Sequence, residues 1–168
     1  MKATLLLTDG FQRVNDVVHE AVDGLAAEQL NARVGARANS IGWLVWHLTR
    51  IQDDHVSELA GREQAWLAEG HADRFALPFP PEATGYGHTA RQVAAVKASG
   101  EQLLSYFEAV HARTAAYLAT LPAADLDRVI DTRWDPPVTV GVRLVSVLSD
   151  DLQHAGQAAF VRGLLEPA

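Results

Sequence analysis

An all-α chain whose four amphipathic helices pack as an antiparallel bundle is the fold the sequence predicts, and three observations predict it. Apolar residues recur at three- and four-residue spacing in four separate stretches, each giving a helix one apolar stripe. No run alternates apolar and polar residues in the way a half-buried strand does, and no internal repeat is present. The segments between the four stretches are rich in Pro, Gly and Asn, which break helices and form turns. Four such helices bury their stripes most simply against one another.

The first helix is expected over residues 8–25, where Phe11, Val14, Val17, Val18, Ala21, Val22 and Leu25 share a face. Gly24 and residues 31–39 interrupt the period, and Asn39 or Ser40 offers a side-chain oxygen to cap a second helix over residues 41–59, ending at Gly61. Between residues 62 and 89, Pro78, Pro80 and Pro81 cannot donate backbone hydrogen bonds and Gly85 and Gly87 ease turns, so a long surface connection is expected. Periodicity returns over residues 90–121 through Val93, Val96, Leu103, Leu104, Phe107, Val110, Ala115 and Leu118. This predicts a long third helix, stopped by Pro122 and open to a break near Ser99 and Gly100. Pro136, Pro137 and the β-branched Val138, Thr139 and Val140 predict an extended approach to a fourth helix over residues 142–164. Long connections after the second and third helices leave the up-down order of the bundle open.

At 168 residues the chain suits one domain, residues 1–168, built on a single core. With 48% hydrophobic and 21% charged residues it has the composition of a chain that folds throughout. A net charge of -7 excludes a nucleic-acid partner, which would need a dense cationic surface. There is no cysteine, so a metal would have to be held by His, Asp or Glu, and no disulfide ties the chain to an oxidising compartment. The apolar run Leu5 to Leu7 is too short for a signal peptide and no stretch is long enough to span a membrane, so a cytoplasmic protein is expected.

The chemistry concentrates in two stretches. In Ser149-Asp150-Asp151-Leu152-Gln153-His154-Ala155-Gly156-Gln157, Asp150 and His154 stand one helical turn apart and face the same way, as a metal-binding pair or as a plain surface ion pair. In Trp43-Leu44-Val45-Trp46-His47-Leu48, His47 sits in an apolar run that points inward. A buried histidine needs a partner, either a backbone carbonyl or Tyr hydroxyl or an ion shared with Asp150 and His154. His55 is about 12 Å further along the helix and cannot share that ion directly. Asp53 and Asp54 are solvated charges or hydrogen-bond supports of the ligands, and Asp54 and Asp151 are the candidate bases. His19, His71 and His111 are expected at the surface, and Trp43, Trp46 and Trp134 in the core or a pocket wall. His88 and Tyr86 lie on the Pro/Gly-rich connection, which is either an exposed loop or a cover over the metal mouth; Gln157 either orients a ligand or faces solvent.

The segment Asn39-Ser40-Ile41-Gly42-Trp43-Leu44-Val45-Trp46-His47-Leu48 resembles the second-helix motif of DinB-like proteins, and His154-Ala155-Gly156-Gln157 resembles their fourth-helix ending. The resemblance implies a DinB-like bundle in which a His of the second helix and a His-x-x-x-His pair of the fourth hold a divalent transition metal, zinc or nickel. Those positions are His47, 150 and His154, and Asp150 replaces the first His of the pair. Asp remains a competent ligand but makes the bound metal a weaker Lewis acid. The resemblance also implies a homodimer and use of a low-molecular-weight thiol as cosubstrate: mycothiol, bacillithiol or glutathione, with one branch of the group isomerising maleylpyruvate. Ala-rich composition with Arg exceeding Lys favours mycothiol. The expected activity is a metal-dependent thiol S-transferase acting on a small-molecule electrophile. The alternatives are a metal-dependent hydrolase with Asp151 or Asp54 as base, and a noncatalytic metal-binding or dimerisation module.

Overall fold

In chain order the elements are α1 (Ala3–Val22), α2 (Ala27–Leu30), α3 (Ile41–Ala60), α4 (Ala65–Ala68), α5 (His71–Phe75), α6 (Ala90–Ala95), α7 (Gly100–Thr120), a 3-10 turn (Ala123–Asp127), the strands β1 (Val129–Asp131) and β2 (Val138–Thr139), and α8 (Val140–Leu165). This computed structural model describes residues 2–165; Met1 and residues 166–168, which the expected domain takes in, lie outside the described residues. The four long helices α1, α3, α7 and α8 are the four expected from periodicity.

Their ends follow from local chemistry. α1 begins at Ala3 rather than at residue 8, because Thr4 and Leu7 continue the buried stripe of Phe11 and Val14. Thr8 is inside the helix, its hydroxyl donating back to the Thr4 carbonyl at 2.9 Å. α3 starts where Ser40 accepts from the Trp43 amide and stops at Gly61, which takes the left-handed conformation a helix end favours. The third periodic stretch is two helices. Val96 turns extended, and Ser99 and Gln102 reciprocally cap the start of α7. Residues 62–89 hold two short helices, anchored by buried Trp66 and Phe75. Residues 128–139 form a small antiparallel hairpin rather than one extended strand.

The order of the bundle is not up-down-up-down. Leu7, Phe11, Val56, Leu118, Val140 and Leu144 gather at one end, whereas Val18, Val22, Leu44, Leu103, Phe107, Ala158 and Val161 belong to the other. α1 and α8 therefore run one way and α3 and α7 the other. α3 and α1 each pack against both α7 and α8, so the order around the bundle is α1, α7, α3, α8. Because α3 and α7 are parallel neighbours, the chain must travel back along the bundle between them, and residues 61–99 do so.

That return path covers α3, whose residues 41–50 are all buried. Helix sides that would be solvated in an open bundle are therefore sealed, and their polar groups find protein partners. Arg50, 0% exposed, donates to the Ala83 and Pro81 carbonyls at 3.2 and 3.1 Å, to Gln64 Oε1 at 2.7 Å and to the Tyr106 hydroxyl at 3.2 Å. Asp53 is not solvated: its carboxylate accepts from the Ala65 and Trp66 amides and the Tyr106 hydroxyl, each at 2.9 Å, and lies 3.8 Å from Arg50. His71 is buried against Tyr106, with ring centroids 4.8 Å apart, rather than at the surface. Trp134 is 65% exposed and stands in the wall of a surface cleft with His55, Val142 and Arg143 rather than in the core.

Candidate metal centre

Helices α3 and α8 bring together the three residues singled out by spacing. His47 faces α8 from the sealed side of α3, and Asp150 and His154 face α3 one turn apart. Each offers a ligand atom, and these atoms lie within 4.8 Å of one another. The two imidazoles are 4.9 Å apart between centroids and inclined at 70°.

Each imidazole has one nitrogen already tied. His47 Nδ1 is 2.6 Å from the Thr84 carbonyl oxygen, which can only accept, so Nδ1 carries the proton and Nε2 keeps its lone pair. Burial is the main force lowering the proton affinity of His47, which favours that neutral ring. His154 Nδ1 is 3.0 Å from Gln157 Oε1, and its Nε2 is 3.6 Å from Asp150 Oδ1. Gln157 is solvent-exposed and at the same time holds the His154 ring. The other carboxylate oxygen of Asp150 is shielded and has no hydrogen-bond partner among the described residues. Two imidazoles oriented through Nδ1 beside an unsatisfied carboxylate oxygen suit a divalent transition metal, whose histidine ligands usually donate their second N–H to an oxygen.

The contact that orients His47 comes from the return path. Arg50 holds the carbonyls of Pro81 and Ala83, placing Thr84 over the ring. Next to it, Gly85 has φ +95, and a Cβ there would lie 2.7 Å from His47 Nδ1 and 3.0 Å from the Trp46 ring. Only glycine lets the backbone pass so close. Trp43 stacks on His47 at 4.6 Å and meets His154 edge-on at 6.1 Å, and its indole N–H donates to His88 Nδ1 at 3.2 Å. The connection is therefore a cover that brings His88 in, while Tyr86 stays 89% exposed.

Other candidates are placed elsewhere. Asp54 Oδ1 accepts from Gln64 Nε2 at 2.7 Å. His55 Nδ1 accepts from Arg143 at 2.8 Å, towards the opposite end of α3. Asp151 is fully buried, neither of its oxygens has a hydrogen-bond partner among the described residues, and burial, with help from the charge of Asp150, drives its pKa well up. A cavity of about 320 Å³ lined by Trp46, Trp66, Leu77 and Phe79 contains none of the three clustered residues. Spacing alone does not reveal Thr84 or Arg50; the available signals are an Arg inside an apolar helix, three residues after His47, and the Gly of the covering loop.

The all-α bundle, with its three candidate ligands gathered from α3 and α8, is that of a DinB-like protein, Asp150 standing where the class has a His. Within that class the chain belongs to the mycothiol-S-transferase family, whose model matches residues 6–167. The crystal structure of the conserved protein of locus from Enterococcus faecalis is similar at 34% identity, with a TM-score of 0.92 over 98% of each chain. No curated protein matches the chain. The family activity is thiol S-transfer, which implies a thiol and an electrophile as substrates. Among the described residues, no helix is long and apolar enough to cross a membrane.

Proposed function

We propose that this protein is a metal-dependent thiol S-transferase that holds zinc or nickel through His47, Asp150 and His154 and uses mycothiol against a small electrophile. The observation that carries the reading is the pair of tied Nδ1 atoms, which leaves both Nε2 lone pairs beside the unsatisfied carboxylate oxygen. A divalent metal held by these three residues would supply the positive charge that favours the thiolate form of a thiol near neutral pH.

The chain's own residues prepare the rest. Thr84 and Gln157 fix the imidazole tautomers, Arg50 fixes Thr84, and Trp43 shields one face of His47 from water. Three protein ligands leave a position for the thiol, as catalytic rather than closed structural sites do. Because the chain has no cysteine, the sulfur must be the cosubstrate's. A cytoplasmic setting fits that need for reduced thiol. Exposed Val145, Leu152, Phe160 and Leu164 on α8 supply apolar surface for a homodimer.

The test is metal analysis of purified wild type, His47→Ala and His154→Ala beside thiol-dependent turnover of 1-chloro-2,4-dinitrobenzene. One bound ion per chain in wild type, its loss in both variants and a parallel loss of turnover are expected. Equal turnover in wild type and His47→Ala would remove the metal from the mechanism.

A further inference from the structure

His88 is the polar group of the covering loop that the centre does not use. Trp43 Nε1 can only donate, so at 3.2 Å the His88 Nδ1 must accept, and the neutral ring carries its proton on Nε2. Burial lowers the proton affinity of His88 and so favours this neutral form. Nε2 has no hydrogen-bond partner among the described residues, although the ring is held by three aromatic neighbours: Phe79 at 4.7 Å, Trp46 at 5.8 Å and Trp43 at 6.3 Å between centroids. The same Trp43 ring touches His47 and His154. One indole therefore separates an oriented, unused N–H donor from the cluster of ligand atoms, and the surroundings of that donor are aromatic.

We propose that His88 is a substrate-binding catalytic residue whose Nε2–H holds an acceptor oxygen of a planar electrophile, a nitroarene or aryl carbonyl compound, beside the activated thiol. The proposal deepens the thiol-transferase reading and rests on it. With a chloronitroarene the balance is simple. The thiol proton leaves to solvent, sulfur forms a bond to the ring carbon that carries chlorine, and π electrons move onto a nitro oxygen. That oxygen is the atom Nε2–H meets as its charge grows. The electrons then return, and chloride departs with its bonding pair, leaving a thioether. His88 donates a hydrogen bond throughout and gives up no proton, since its Nδ1 is already engaged by Trp43. A donor aimed at charge that develops during reaction is a recognised source of rate enhancement.

Two variants separate this role from packing. His88→Phe keeps a ring against Trp46 and Phe79 without the donor, and His88→Gln restores an N–H near the Nε2 position. With thiol saturating, kcat/KM is measured for 1-chloro-2,4-dinitrobenzene and for benzyl chloride, which has no acceptor oxygen. The ratio of the two values is expected to fall roughly 10- to 100-fold in His88→Phe and to recover in part in His88→Gln. Bound metal should stay at the wild-type level in both. A second readout, independent of turnover, is binding of nitrobenzene against isopropylbenzene, followed by the NMR signal of the Trp43 indole N–H. His88→Phe should weaken the first ligand selectively. Absence of thiol-dependent turnover in wild type would sink the enzymatic reading, and the binding arm would still judge the donor. An unchanged ratio, an equal loss with both electrophiles, loss of metal from His88→Phe or unselective binding would each overturn the assignment of His88.

Discussion

Replacing Arg50 by Met tests whether the return path between α3 and α7 supports both the fold and the centre. Met fills most of the space of the arginine stem but cannot donate. Four hydrogen bonds disappear, and the Pro81 and Ala83 carbonyls and Gln64 Oε1 lose a donor. Asp53 loses the cation 3.8 Å away but keeps its backbone and Tyr106 donors. Each buried acceptor left unpaired costs about 1–3 kcal/mol, and breaking a buried ion pair costs about 3–5 kcal/mol in all. Because the loop can move and readmit water, the whole substitution should cost about 3–5 kcal/mol rather than the sum of its parts. That is a large share of the roughly 5–15 kcal/mol of a typical domain, yet it leaves a folded protein in the cold. Urea unfolding followed by circular dichroism reads the loss. Arg113→Met is the control, since its partly exposed bonds to Glu63 and Glu69 should be worth about 1 kcal/mol or less. Release of the loop also withdraws Thr84 from His47, so affinity for zinc, measured by chelator competition, should fall about 10- to 100-fold. An Arg50→Met protein as stable as wild type, or one destabilised with undiminished zinc affinity, would refute the proposed chain from Arg50 through Thr84 to His47.

Gly85→Ala puts a methyl against His47 Nδ1 at a positive φ, and should lower zinc affinity by about tenfold or more in the same competition; normal affinity would show that the loop yields easily. Asp151 has a raised pKa in the folded state, so the folded chain keeps a proton that the unfolded chain releases above about pH 4. Stability of the metal-free protein should therefore fall, relative to Asp151→Asn, as pH rises from about 4 towards neutrality, and a difference between the two that stays constant with pH would contradict this. On the proposed metal-centre reading Asp150→His replaces a carboxylate donor by a neutral one, so the thiol-dependent pH–rate profile should move to lower pH; an unmoved profile would show that Asp150 does not set the acidity of the thiol.

The helices and the chemical pair on α8 are legible in the sequence because both depend on spacing within one element. The stripe from Phe11 to Val22 and the turn between Asp150 and His154 need no knowledge of the rest of the chain. His47 is legible for a related reason: an imidazole among Trp43, Leu44, Val45, Trp46 and Leu48 has nowhere polar to go except towards a partner. What depends on distant segments is not legible. The parallel placement of α3 and α7 follows from which apolar ends meet, and that placement turns Asp53 and His71 from surface candidates into buried residues and buries Arg50 beside them. Asp54 and Asp53 look alike in sequence, yet one faces the α4 amides and the other a Gln at the rim. The support given by Thr84 is hidden for another reason. It uses a carbonyl, which every residue has, so no side-chain pattern announces it.

That anonymity has an evolutionary consequence. A main-chain oxygen cannot be deleted by exchanging the side chain at position 84, so the imidazole's alignment is insulated from most point mutations of the loop that supplies it. Glu82 and Tyr86 point outward from the same stretch and are free to drift, altering what the surface presents while the alignment beneath persists. Gly85 is an exception: a side chain added there reaches the ring directly. The loop thus separates an inheritable geometry from an adaptable exterior, an arrangement that lets one scaffold meet new ligands without rebuilding its reactive interior.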